Sequence, residues 1–127
     1  MSTLKTSNIQ DTSGNNNSTP EEISQGRAKA WVNFNGTGTV AIRDSFNVSS
    51  ITDNGTGDYT ITFANAMANV NYSFHGTASQ AGTGNNGQTL SILASTAPTT
   101  TTVQFRTQQD NVGVTDSEYV CIVVFGD

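Results

Sequence analysis

The sequence predicts an all-β fold: an antiparallel β-sandwich of jelly-roll type with about seven short strands, preceded by a flexible N-terminal arm and one short helix. Three observations carry this. Apolar residues recur with period two in short runs, and Gly/Asn-rich turns separate those runs. Of the 127 residues only 34% are hydrophobic and 12% charged, while Asn, Ser, Thr and Gly make up nearly half. Coiled coils and helical bundles draw on Ala, Leu, Glu and Lys, so this composition disfavours them.

Residues 1–18 hold only Leu4 and Ile9 as aliphatic anchors and then run through Asp11-Thr12-Ser13-Gly14-Asn15-Asn16-Asn17-Ser18. Such a stretch buries too little apolar surface to offset its ordering entropy, so the isolated arm is expected to be flexible and to order against a neighbouring subunit. Thr19-Pro20-Glu21-Glu22 is a helix start, with Thr19 as cap, Pro20 in the first turn and Glu22 returning a bond to the cap. The helix is short, because Gly26 is expected to end it in a left-handed conformation. Residues 1–26 thus form an anchoring and assembly segment, and 27–127 the sandwich.

Ala30, Val32 and Phe34 share one strand face, with Trp31 and Asn33 on the other. Asn35-Gly36-Thr37-Gly38 reads as a tight hairpin turn with positive backbone angles. Val40, Ile42, Phe46 and Val48 continue the alternation up to a second turn, Asp53 to Asp58. Tyr59-Thr60-Ile61-Thr62-Phe63 is the cleanest strand pattern in the chain. Further strands are expected at Tyr72–Phe74, Leu90–Ala94 and Val103–Phe105. The apolar run Tyr119–Phe125 reads as a last strand buried on both faces. Two polar stretches, 76–88 and 108–115, read as exposed loops.

Several function classes are excluded. A net charge of −5 with five Lys and Arg leaves too few cations to neutralise a phosphate backbone, so no nucleic acid partner is expected. No run of about 18 apolar residues occurs, so no membrane insertion is expected, and the N-terminus lacks the apolar centre of a secretory leader. Cys121 is the single cysteine; it forms no internal disulfide and reads as a small buried hydrophobe.

Catalytic signatures are equally sparse, and the chain is expected not to be an enzyme. Asp53 and Asp58 read as solvated turn formers, not as an acid pair, and with Asn54 they lack the spacing of a calcium loop and its final bidentate Glu. His75, the only imidazole, reads as a strand-end residue bonded to backbone or facing a neighbour. Gly36-Thr37-Gly38 and Gly82-Thr83-Gly84 lack the remaining parts of a nucleotide loop. No cofactor and no metal is expected.

The segment Arg27-Ala28-Lys29-Ala30-Trp31-Val32-Asn33-Phe34-Asn35-Gly36-Thr37-Gly38, with its continuation from Val40 to Tyr59 through Arg43-Asp44-Ser45-Phe46 and Asp53-Asn54-Gly55-Thr56-Gly57-Asp58, resembles a module of tail-fibre and related virion proteins of tailed phages, notably those of marine bacteria and cyanobacteria. The resemblance covers roughly residues 1–76, including the lead-in from Leu4 to Gly26, and leaves 77–127 unmatched. It implies a non-enzymatic structural subunit, homotrimeric, made in the host cytoplasm and mounted on the tail or capsid surface beside other phage proteins. Many such fibres are far longer, so a short fibre, an adaptor and a capsid decoration or head-fibre protein all fit.

In such an assembly Leu4, Ile9, Ile23, Trp31 and Phe34 are the expected interface residues, since aromatic and aliphatic groups fill interface centres. Gln80, Asn85, Asn86, Gln88, Gln109 and Asn111, on the two polar stretches, suit hydrogen-bonded contact with a host surface polysaccharide; the plainer reading is solvated surface. A free-standing carbohydrate-binding module is the alternative from another class. A polysaccharide depolymerase ranks last, for want of an acid pair or a His-based triad.

Overall fold

The computed structural model describes residues 1–80 and 87–126. It is mostly β, with two antiparallel sheets and one short helix, as the sequence predicts. The helix α1 spans Pro20–Gly26, and the strands are β1 (Ala30–Asn35), β2 (Ala41–Phe46), β3 (Val48–Gly55), β4 (Asp58–Phe63), β5 (Ser73–Ala78), β6 (Gln88–Ile92), β7 (Thr102–Gln109), β8 (Gly113–Val114) and β9 (Val120–Phe125). One sheet has the order β2-β1-β9-β5 and the other β3-β4-β7-β6, with β8 paired to β7. We call them the first and the second sheet.

Alternation within strands builds the core between the sheets. Ala30, Val32 and Phe34 of β1 and Val120, Ile122 and Val124 of β9 point inward from the first sheet. Tyr59, Ile61 and Phe63 of β4 meet them from the second, with Val103 and Phe105 of β7. Phe34 packs edge-on to Tyr59 at 5.2 Å between centroids, and Phe105 lies 5.2 Å from Phe74. Contacts of this geometry add to the burial of large rings. Phe34, expected at an interface, is therefore a core residue with no exposed surface.

Nine strands stand among the described residues instead of about seven, for two local reasons. Phe46 and Val48, read as one alternation, belong to different sheets, because Asn47 adopts φ 54° and turns the chain between them. Its amide holds the junction: Nδ2 donates to the carbonyls of Lys29 (3.0 Å) and Asn65 (3.2 Å), and Oδ1 accepts from the Asn65 backbone (2.7 Å). The stretch 108–115 is a hairpin of β7 and β8 and not a free loop. Likewise β5 reaches Ala78 and β6 begins at Gln88, so the first polar stretch is shorter than expected.

The Thr19 cap forms as predicted: its hydroxyl accepts from the Glu22 backbone (3.2 Å) while the Glu22 carboxylate accepts from the Thr19 backbone (2.7 Å). The bond from the Thr19 backbone, and a second that the Thr19 hydroxyl donates to the same carboxylate oxygen (3.0 Å), hold the Glu22 carboxyl below its usual range. Gly26 does not supply a left-handed end; the chain leaves α1 through Arg27 in extended conformation at φ −92°. At 35–38 the positive φ of 60° falls on Gly38 alone. Gly36 serves close packing instead, since a Cβ there would lie 2.5 Å from the Tyr59 hydroxyl.

The last strand departs furthest from expectation. β9 is buried on alternate residues only, and Cys121, expected inside, is exposed. A two-layer sandwich covers one face of each sheet, so the outward residues of even a central strand meet solvent.

Candidate assembly surface

The outer face of the first sheet collects apolar side chains that remain at least partly exposed among the described residues. Strand register sets Phe46 beside Trp31, Trp31 beside Val123 and Val123 beside His75. Four strands at the usual spacing make this row about 15 Å long. Trp31 is 36% exposed and Phe46 53%. One pair further along β9 lies Phe125, partly exposed beside Ser73; in the other direction Cys121 sits between Asn33 and Thr77.

A polar margin borders this row. Arg43 stacks its guanidinium 4.2 Å above the ring of Tyr119 and donates to Asn33 Oδ1 (3.3 Å). Ser73 Oγ and His75 Nε2 lie 2.8 Å apart at the other side. His75 is thus in mid-strand, bonded to a side chain and not to backbone. An apolar centre with a polar rim is the anatomy of a protein interface.

Two concave regions lie at the ends of the row. A groove of about 390 Å³, lined mainly by apolar atoms, is formed by His75, Gly76, Thr77, Cys121, Ile122 and Val123. A pocket of about 350 Å³ lies between Arg27, Ala28 and Lys29 on one side and Phe46, Asn47, Ala64 and Asn65 on the other. Lys29 donates from Nζ to Ser24 Oγ at 2.9 Å, which ties α1 to the sandwich.

The outer face of the second sheet is polar by contrast. Asp58, Thr60 and Thr62 of β4 and Thr102, Gln104, Arg106 and Gln108 of β7 point outward. Asp58, expected to be solvated, is buried by these neighbours: it accepts from Arg106 Nε (2.8 Å), Gln104 Nε2 (2.6 Å) and Asn54 Nδ2 (3.2 Å). Burial alone would raise its pKa, but the three hydrogen bonds and the Arg106 charge outweigh it and hold the carboxyl below its ordinary value.

A buried polar cluster closes one end of the sandwich. The Tyr59 hydroxyl lies 2.8 Å from the Gly36 carbonyl and 3.0 Å from Asp116 Oδ1, which also accepts from the Gly57 backbone (2.7 Å). Burial and the Asp116 contact push the Tyr59 phenol above its usual range. Gln88 Nε2 donates to Ser117 Oγ (3.1 Å), and Gln88 Oε1 is buried without a partner among the described residues.

The residues expected to act together are therefore dispersed. Trp31 lies on the first sheet's outer face, whereas Leu4, Ile9 and Ile23 are exposed on the arm and α1. Gln109 is buried on the inward side of β7, and Gln88 belongs to the buried cluster; neither is a loop contact. Register explains both, since a polar residue in a strand faces inward or outward by parity, not by polarity. Asn111 is exposed at the β7–β8 turn with φ 64°, and Gln80 follows β5. Asn85 and Asn86 lie outside the described residues. Phe46, Val123 and Phe125 were missed as surface groups; their outward parity relative to Phe34 and Val124 was the signal available.

Among the described residues, no carboxylate is bonded to His75 and no group of three or more His, Cys, Asp or Glu is placed to hold a metal ion. No described helix is long and apolar enough to cross a membrane. The chain matches no protein-family model, no curated protein and no solved structure.

Proposed function

We propose that this protein is a virion structural subunit of a tailed phage, a short trimeric tail fibre or fibre-like protein that assembles through the outer face of its first sheet. One observation supports the assembly reading above the others: the Phe46–Trp31–Val123 row is apolar and partly exposed among the described residues, while the second sheet's outer face is polar throughout β4 and β7. Contiguous exposed apolar surface on a small domain marks a contact with another molecule. The arm, exposed over residues 1–17, supplies a second element that docks elsewhere. The phage assignment itself draws on the resemblance of residues 1–76.

A capsid decoration protein is the closest alternative, and the same face would serve it. The pocket beside Arg27, Lys29 and Phe46 favours the carbohydrate-binding alternative, since a ring and two cations suit an acidic sugar. Solution mass by light scattering, on the full chain and on a form beginning at Arg27, separates these readings. A trimer in both forms supports a fibre assembled by the sandwich. A trimer lost on shortening assigns assembly to the arm and α1. A monomer in both, with polysaccharide binding abolished by Phe46→Ala, replaces the fibre reading by the binding module.

A further inference from the structure

The groove between β5 and β9 and the N-terminal tail are complementary in the same chain, and no described residue covers either. The groove is open, about 390 Å³ in volume, and carries no Lys, Arg, Asp or Glu in its lining of His75, Gly76, Thr77, Cys121, Ile122 and Val123. A Leu side chain is apolar, unbranched at Cβ and small against that volume. Leu4 is 85% exposed, and the tail from Met1 to Asn8 has one charged side chain, Lys5.

The arm is not shapeless behind that tail. Ile9 and Ser18 exchange backbone hydrogen bonds of 2.8 Å in both directions. The Asp11 carboxylate caps the enclosed turn, accepting from the backbone of Ser13 (3.0 Å) and Asn15 (2.8 Å) and from Asn16 Nδ2 (3.1 Å). This closed loop fixes where the tail begins, and within the tail Thr6 and Asn8 are joined by hydrogen bonds of 2.6 and 3.3 Å, leaving Met1 to Lys5 exposed beyond them. Leu4 lies five residues before Ile9, a reach of about 16 Å when extended, enough to bridge to a copy packed directly against this one.

We propose that the tail of one copy inserts Leu4 into the β5–β9 groove of a second copy. Each copy then both donates a tail and accepts one. The inference rests on self-assembly through the first sheet, whose partly exposed row ends at this groove. The exchange would bury the most exposed aliphatic side chain of the arm against Val123 and Cys121, which face outward from β9, and its free-energy gain follows apolar area removed from water.

The native Cys121 in the groove gives a direct test. Leu4→Cys is made in the full chain, oxidised with copper phenanthroline, and run on a non-reducing gel, with light scattering on the same sample. Docking raises the effective concentration of the thiol pair, so interchain disulfide is expected at least about tenfold faster than for Ser13→Cys. Cys121→Ser should abolish it. Mixing Leu4→Cys/Cys121→Ser chains with unmodified chains should give the covalent dimer between the two kinds.

An oligomer whose cross-linking matches the Ser13→Cys rate overturns the inference and leaves the assembly reading intact. So does a disulfide closed within single chains. A monomer by light scattering overturns the assembly reading and the inference with it.

Discussion

The two sheets present the same kind of surface to each other and opposite kinds to the outside. Inward, both carry rings and branched aliphatics, with Phe34 and Val32 facing Tyr59 and Phe105. Outward, β4 and β7 offer Thr60, Thr62, Gln104 and Arg106, whereas β1, β2 and β9 offer Trp31, Phe46, Val123 and Phe125. A sandwich needs only its inner faces to fold, and a solvated outer face costs least when polar. The first sheet's outer face departs from that pattern, which is the basis of the self-assembly proposed for it.

Substitutions sort along this contrast. The largest effect belongs to the shared interior: Phe105→Ala leaves a hole among Phe34, Tyr59 and Phe74 and should cost about 3–5 kcal/mol in urea unfolding. Next comes the outer face. Trp31→Asp should weaken self-association by about 2 kcal/mol or more, roughly 30-fold in the dissociation constant by sedimentation, and cost the dilute chain only about 1–2 kcal/mol in urea unfolding, because Trp31 is 36% exposed. Ser91→Asp, on the exposed face of the second sheet, should leave association unchanged. Equal loss from both variants would break the comparison.

Smaller effects sharpen it. Tyr59→Phe removes the hydroxyl from the Gly36 carbonyl and Asp116, and should cost about 1–2 kcal/mol of stability with no loss of association. Asp58→Asn should cost about 1 kcal/mol at neutral pH, a figure held down because the Arg106 side chain is 43% exposed. The sign with pH follows from the lowered Asp58 pKa. Its contribution is complete above the ordinary carboxylate range and is lost as pH falls through that range and below it. Urea midpoints at neutral and at strongly acid pH should therefore converge for Asp58→Asn and its parent as the pH drops.

Much of the fold was legible because it depends on local parity. Tyr59 to Phe63 alternates cleanly and forms β4, and Thr19 with Glu22 forms the cap that their spacing demands. What local pattern does not encode is which surface lies opposite. Tyr119 to Phe125 is apolar at every position, and composition alone does not tell a strand covered on both faces from one covered on a single face. Hence β9 read as buried on both faces while Cys121 is exposed. The candidate contact loops failed for a related reason: Gln88 and Gln109 are polar, yet register directs them to the buried end of the sandwich. Gly36 read as a turn residue because its neighbour is Asn, and only the approach of Tyr59 from a distant strand reveals its packing role.

Trp31 is the only tryptophan in the chain and stands at the centre of the partly exposed row, so its fluorescence reports on that face alone. The most direct measurement is acrylamide quenching of Trp31 across a dilution series, with light-scattering mass recorded on the same samples. Self-assembly through the first sheet predicts a shielded, blue-shifted Trp31 at high concentration that becomes quenchable as the mass falls to that of one chain. A Trp31 that stays fully quenchable while the protein is oligomeric, or a single-chain mass at every concentration, would contradict it.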